Sequence, residues 1–151
     1  MAKRQGHSDS ARVKIHLYYF GKPRDPHANA MAEDYLERVS RYARADMSEI
    51  RASRWDPRSK HPSAYLVCLD PAGKRFDSAG FIAMIKRAER EARDVVFVVG
   101  GADGLPAGWS DRADLVLSLS PMTYPHELAR VMLAEQVYRA FTTLRGHPYP
   151  R

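Results

Sequence analysis

The run Val95-Val96-Phe97-Val98-Val99, apolar throughout and closed by Gly100-Gly101, constrains the fold more than any other stretch of the chain. A strand with one solvated face alternates apolar and polar residues, whereas an unbroken β-branched run predicts a strand covered on both faces, as in a parallel sheet. Val13 to Phe20 combines alternation with β-branched and aromatic residues and breaks at Gly21 and Pro23, which predicts the first strand. From Pro26 to Arg44, Met31, Tyr35, Leu36, Val39 and Tyr42 recur at the spacing of an amphipathic helix. Met47 to Trp55 supplies a weaker strand, and the proline-rich, basic segment from Asp56 to Ser63 reads as an exposed loop. Tyr65 to Leu69 is a short strand ending in the turn Asp70-Pro71-Ala72-Gly73, after which Asp77 or Ser78 caps a helix running to about Ala92. A short helix containing Trp109, a strand over Leu115 to Leu119 and a last helix from Pro125 to Leu144 complete the order. Strands alternating with helices predict an α/β domain with a mainly parallel sheet and helices on both faces.

At 151 residues the chain has the length of one domain, read as a disordered basic extension over residues 1–12 and a single domain over 13–151. The single cysteine, Cys68, cannot form an intramolecular bridge and sits in an apolar run, so it reads as a buried small residue in a reducing, cytoplasmic setting. No apolar stretch approaches the ~20 residues that span a bilayer, and the start lacks the apolar core of a secretory signal. His7, His16, His27, His61, His126 and His147 form no short ligand pair and have no cysteine partner, so no metal site is predicted. The formal net charge is +6, concentrated at the ends: Lys3, Arg4 and Arg12 oppose only Asp9, and Arg139, Arg145 and Arg151 follow Glu135 with no further acid. Basic ends either solubilise the chain or meet a polyanion such as RNA.

In an open parallel sheet, ligands bind where loops converge at the carboxyl ends of strands. Three segments compete for that role: Leu69-Asp70-Pro71, Gly100 to Gly104, and Ser118 to Pro125. The glycine segment lacks the Gly-Lys-Ser/Thr of a phosphate loop and the spacing of a dinucleotide fingerprint, so it is either a nucleoside-binding loop or a plain turn. Asp103 within it either accepts hydrogen bonds from a ribose or caps the next helix. Ser118 to Pro125, stiffened by Pro121 and Pro125, can bind an adenine through unpaired backbone groups or serve as a rigid connection. On the last helix Ala129, Leu133, Val137, Ala140, Phe141 and Leu144 form an apolar face for packing within the domain or across a dimer. Glu135 and Arg139, four apart, make a surface ion pair unless Arg139 meets a substrate. The tail Gly146-His147-Pro148-Tyr149-Pro150-Arg151 either frays or stacks on an unpaired base.

Taken together, Val95-to-Gly104 (VVFVVGGADG), Leu117-to-His126 (LSLSPMTYPH), Leu133-to-Ala140 (LAEQVYRA) and His147-Pro148-Tyr149 resemble the RlmH family of SPOUT-class methyltransferases. Phe20-Gly21-Lys22 and Glu33-Asp34-Tyr35-Leu36-Glu37-Arg38 extend the likeness over nearly the whole chain from Val13 onward. The resemblance implies a carboxyl-terminal trefoil knot, S-adenosylmethionine as cofactor, and methylation of N3 of a pseudouridine in large-subunit (23S) ribosomal RNA on the ribosome, by a homodimer in which one subunit's tail serves the other's cofactor. By position it implies cofactor contacts from Leu69, Gly101, Ser120, Pro121, Met122, Thr123, Tyr124 and Pro125, and roles in methylation for Arg139 and Tyr149. The family tail commonly reads His-Pro-Tyr-His, whereas Pro150 stands here in place of the final histidine. With that histidine gone, the general base is left open between His147 and solvent, and Arg139 and Tyr149 are expected to act by positioning and electrostatics. A ribosome-docking protein without catalysis and a nicotinamide-type enzyme using Gly100 to Gly104 are the competing readings.

Overall fold

The computed structural model describes residues 13–51 and 55–149; the basic extension and Pro150 lie outside them. The strands are β1 (Lys14–Phe20), β2 (Arg44–Ile50), β3 (Tyr65–Arg75), β4 (Val95–Val99) and β5 (Leu115–Ser118). They form one sheet in the order β2-β1-β4-β3-β5, and every pairing is parallel. β4 lies at the centre, flanked by β1 and β3, and all its residues are buried, which accounts for its unbroken apolar run.

The helices are α1 (Pro26–Val39), α2 (Pro57–Lys60), α3 (Ser78–Arg90), α4 (Trp109–Arg112) and α5 (His126–Leu144). Asp25 caps α1, accepting from the amides of His27 and Ala28 at 3.0 and 3.2 Å, with Pro26 at the first turn. Asp77 caps α3 through the amide of Gly80 at 2.8 Å. The long helices α1, α3 and α5 share one face of the sheet, burying Leu36, Ile85 and Phe141 against Ile15, Leu17 and Phe97. The other face, with Tyr18, Leu66, Cys68 and Val98, is closed by Ala64 and Trp109, with Trp55 and Leu105 packed against them. Cys68 is fully buried there, and desolvation pushes its thiol up to about 11.

Several boundaries differ from the sequence expectation for physical reasons. α1 stops at Val39 because Arg44–Ile50 pairs in register with Lys14–Phe20, so sheet pairing takes the residues that helical spacing alone extended to Arg44. The segment expected as an exposed loop folds into α2: Asp56 accepts from the Arg58 amide at 3.0 Å, Pro57 starts the turn and is buried, and Arg58 reaches Asp114 at 2.5 Å. The turn after Leu69 is a bulge rather than an end, since β3 resumes its pairing with β5 at Lys74 and Arg75. Pro125 stands at the N-cap position of α5, one residue before the helix.

Candidate active site

A cavity of about 420 Å³ opens at the bulge of β3 and beyond the ends of β4 and β5. Leu69, Asp70 and Pro71 form one wall and the loop from Gly100 to Leu105 a second. The segment around Leu119 to Pro125 forms the third wall, and His126 and Ala129 of α5 complete the lining. The glycine loop turns back on itself: the Gly104 amide bonds the Gly101 carbonyl at 2.9 Å, and Gly104 takes φ +79°. A Cβ on Gly100 would lie 2.5 Å from the Gly104 carbonyl carbon, so only glycine permits this fold-back. The third wall is shaped by Ser120, whose hydroxyl accepts from the Met122 amide at 3.0 Å.

Of the residues named from the resemblance, Leu69, Gly101, Ser120, Met122, Thr123, Tyr124 and Pro125 line this cavity, and Pro121 does not. Asp103 is exposed and outside the lining, and Gly108 rather than Asp103 stands at the N-cap of α4. Besides Val99 and Leu105, which flank the glycine loop, two lining residues on α5 fall outside the three segments read from the sequence, His126 and Ala129. They stand three apart on α5 directly after Pro125, so they share one helix face, and that spacing was the available signal.

Arg139 and Tyr149 do not line the cavity; they meet each other further along α5. Arg139 Nη2 donates to Glu135 Oε2 at 2.7 Å and Nε to Oε1 at 3.4 Å, a forked pair on one carboxylate. The Tyr149 hydroxyl donates to the same Oε2 at 2.6 Å, and the Arg139 guanidinium lies 5.8 Å from the Tyr149 ring centre. Tyr149 also packs on Tyr138, with ring centres 4.7 Å apart. Its backbone carbonyl accepts from the Thr142 hydroxyl at 3.1 Å, and the His147 amide bonds the Thr142 carbonyl at 2.8 Å. The tail therefore folds back onto its own helix. Burial, and then the hydrogen bond to Glu135, push the Tyr149 phenol well above its ordinary range and keep it a proton donor. Glu135 is the residue that sequence reasoning left as half of a surface pair; its spacing from Arg139 was legible, but its bond to Tyr149 depends on how the tail folds.

The family described as predicted SPOUT methyltransferase matches residues 13–150. The chain belongs to the SPOUT methyltransferase family. A protein named ribosomal RNA large subunit methyltransferase H from Solibacter usitatus is 62% identical over 139 residues, covering 92% of this chain and 100% of that protein. A protein of the same name from Rhizobium rhizogenes is 35% identical, covering 92% of this chain and 99% of its own length. The fold is also that of a probable methyltransferase from Bordetella pertussis Tohama I, with a TM-score of 0.60 at 13% identity over 90% of this chain and 99% of that one. In this SPOUT methyltransferase one chain thus carries two separated candidate centres: the largely apolar cavity and the polar Glu135 cluster. Among the described residues no helix is long and apolar enough to cross a membrane.

Proposed function

We propose that this SPOUT methyltransferase transfers the methyl group of S-adenosylmethionine to N3 of a pseudouridine in large-subunit ribosomal RNA, acting in the cytoplasm as a homodimer on the assembled ribosome. The observation that carries the proposal is the cavity itself: the β3 bulge, two loops and the start of α5 line about 420 Å³ with largely apolar walls. That volume and chemistry suit an adenosyl group. The names of the relatives add the substrate class. The trefoil knot belongs to the same proposal, because the cavity is built from the loops and helix that a carboxyl-terminal knot would thread.

When bound, the sulfonium supplies an activated methyl group; the protein's task is to align N3 with it and stabilise the ring once its proton leaves. A guanidinium keeps its proton in proteins, so Arg139 acts as a fixed cation beside the anionic ring. Tyr149, held protonated against Glu135, orients the base by stacking and hydrogen bonding. Leu69, Gly101 and the segment from Ser120 to Pro125 would hold the cofactor, which is left as the neutral thioether once N3 has taken its methyl, with the N3 proton going to solvent.

Arg139 and Tyr149 stand outside the cavity of their own chain, and a second copy would bring such a cluster to the methyl group. Met122, Leu128 and Met132 support that pairing: they are 70%, 47% and 46% exposed, and the latter two lie along α5 between the cavity and Glu135. The test is methyl transfer from tritiated S-adenosylmethionine to ribosomes of a strain lacking the gene, followed by mass mapping of the nucleosides. A methylated pseudouridine in the large-subunit RNA is expected; no transfer, or transfer to another nucleoside, sinks the assignment.

A further inference from the structure

Arg130 is 1% exposed, yet it is poorly served by its surroundings. Its guanidinium carbon lies 3.8 Å from the centre of the Tyr19 ring, and Nη2 donates to Glu127 Oε1 at 3.3 Å. Nε and Nη1 are buried with no partner among the described residues. A buried cation with two unmet donors costs stability, and an apolar residue of the same volume would avoid that cost. Folding alone therefore does not ask for arginine at this position.

What Arg130 does is fix Glu127. The same Oε1 accepts from the backbone amides of Arg24 and Asp25 at 3.1 and 3.0 Å, so the pair bolts the end of the β1–α1 turn to the start of α5. The other end of that turn rests on the cavity wall. Gly21 has φ +96°, and a Cβ there would lie 3.7 Å from His126 Nε2 and 3.8 Å from the Gly101 Cα, both residues of the lining. Between its two anchors the turn exposes Lys22 and Arg24. We infer that Glu127 and Arg130 are positioning residues that clamp the β1–α1 turn so that Lys22 and Arg24 stand beside the cavity as phosphate contacts for the RNA substrate. A turn fixed at both ends presents its cations with less entropy to lose on binding than a free loop.

The inference rests on the proposed RNA methylation, and steady-state methyl transfer onto ribosomes separates the two. A wild-type chain that transfers no methyl defeats the proposed function, and the inference with it. Given an active wild type, Lys22→Ala/Arg24→Ala should raise the ribosome KM roughly tenfold and flatten its salt dependence, with kcat and cofactor affinity within about twofold. Arg130→Met should give the same split, and the triple variant should be no more than about twofold worse than either, because both changes break one contact. Independent KM losses that multiply, or a fall in kcat or cofactor affinity at unchanged KM, would overturn the clamp. Where Arg130→Met fails to fold, the surface double variant still decides, since an unchanged KM there also overturns it.

Discussion

Helix α5 carries two glutamate–arginine pairs, and their difference separates scaffold from chemistry. Near its start, Glu127 and Arg130 stand three apart with side chains 12% and 1% exposed. Near its end, Glu135 and Arg139 stand four apart, 16% and 31% exposed, and share their carboxylate with Tyr149. The first guanidinium is enclosed by protein and can only hold the chain to itself. The second presents part of its edge to solvent and can meet a substrate. Residue type and spacing are nearly the same; burial assigns the role.

The hardest attempt to break this contrast is Arg139→Ala. Loss of a cation placed against a developing anion should lower kcat by about a hundredfold or more, with the melting temperature changed by roughly 2 °C or less because the pair is partly exposed. Methyl transfer onto ribosomes beside a thermal melt checks both, and near-normal turnover would move Arg139 to the scaffold side of the comparison. Tyr149→Phe should cost less, about tenfold in rate, since the ring remains and only the hydroxyl is lost. It also has a pH signature. The folded phenol titrates above its ordinary 10.0, chiefly through burial and then through Glu135, so its stabilisation is fully present below pH 10 and is lost as pH rises beyond that. Melts from pH 8 upward should show wild type losing stability faster than the phenylalanine variant; parallel curves would mean the bond to Glu135 is not maintained in solution.

The same contrast explains what could be read from the chain directly. β4 was legible because complete burial leaves a complete apolar run, and α5 because Leu133, Val137, Ala140 and Phe141 keep one face in the core. Arg130 was not, because an arginine within that core face looks like a solvated position, and its burial depends on the distant Tyr19 and on the turn at Arg24 and Asp25. The cavity loops were found as glycine- and proline-rich punctuation, yet their joining with His126 and Ala129 follows from the order β4-β3-β5, which no local pattern encodes. α2 was missed for the opposite reason: two prolines read as loop chemistry, although Asp56-Pro57 is also a helix cap followed by its first residue.

Glu127→Gln should give the smallest effect on turnover and the opposite pH signature from Tyr149. Hydrogen bonds from the Asp25 amide and then the Arg24 amide, with Arg130 nearby, hold the Glu127 carboxyl below its ordinary 4.5. A depressed carboxylate stabilises the fold above that value, and the contribution is lost as pH falls through the folded titration. At pH 7 the glutamine variant, which leaves Arg130 buried without a counter-charge, should melt a few degrees lower, about 3–6 °C for a chain of this size. As pH falls well below 4.5, wild-type Glu127 itself takes up a proton, so the gap between the two melting curves should narrow. A gap of constant size would mean that the amide hydrogen bonds, which glutamine can still accept, hold the turn without help from charge, and the pairing with Arg130 would then have to be explained by something other than Glu127.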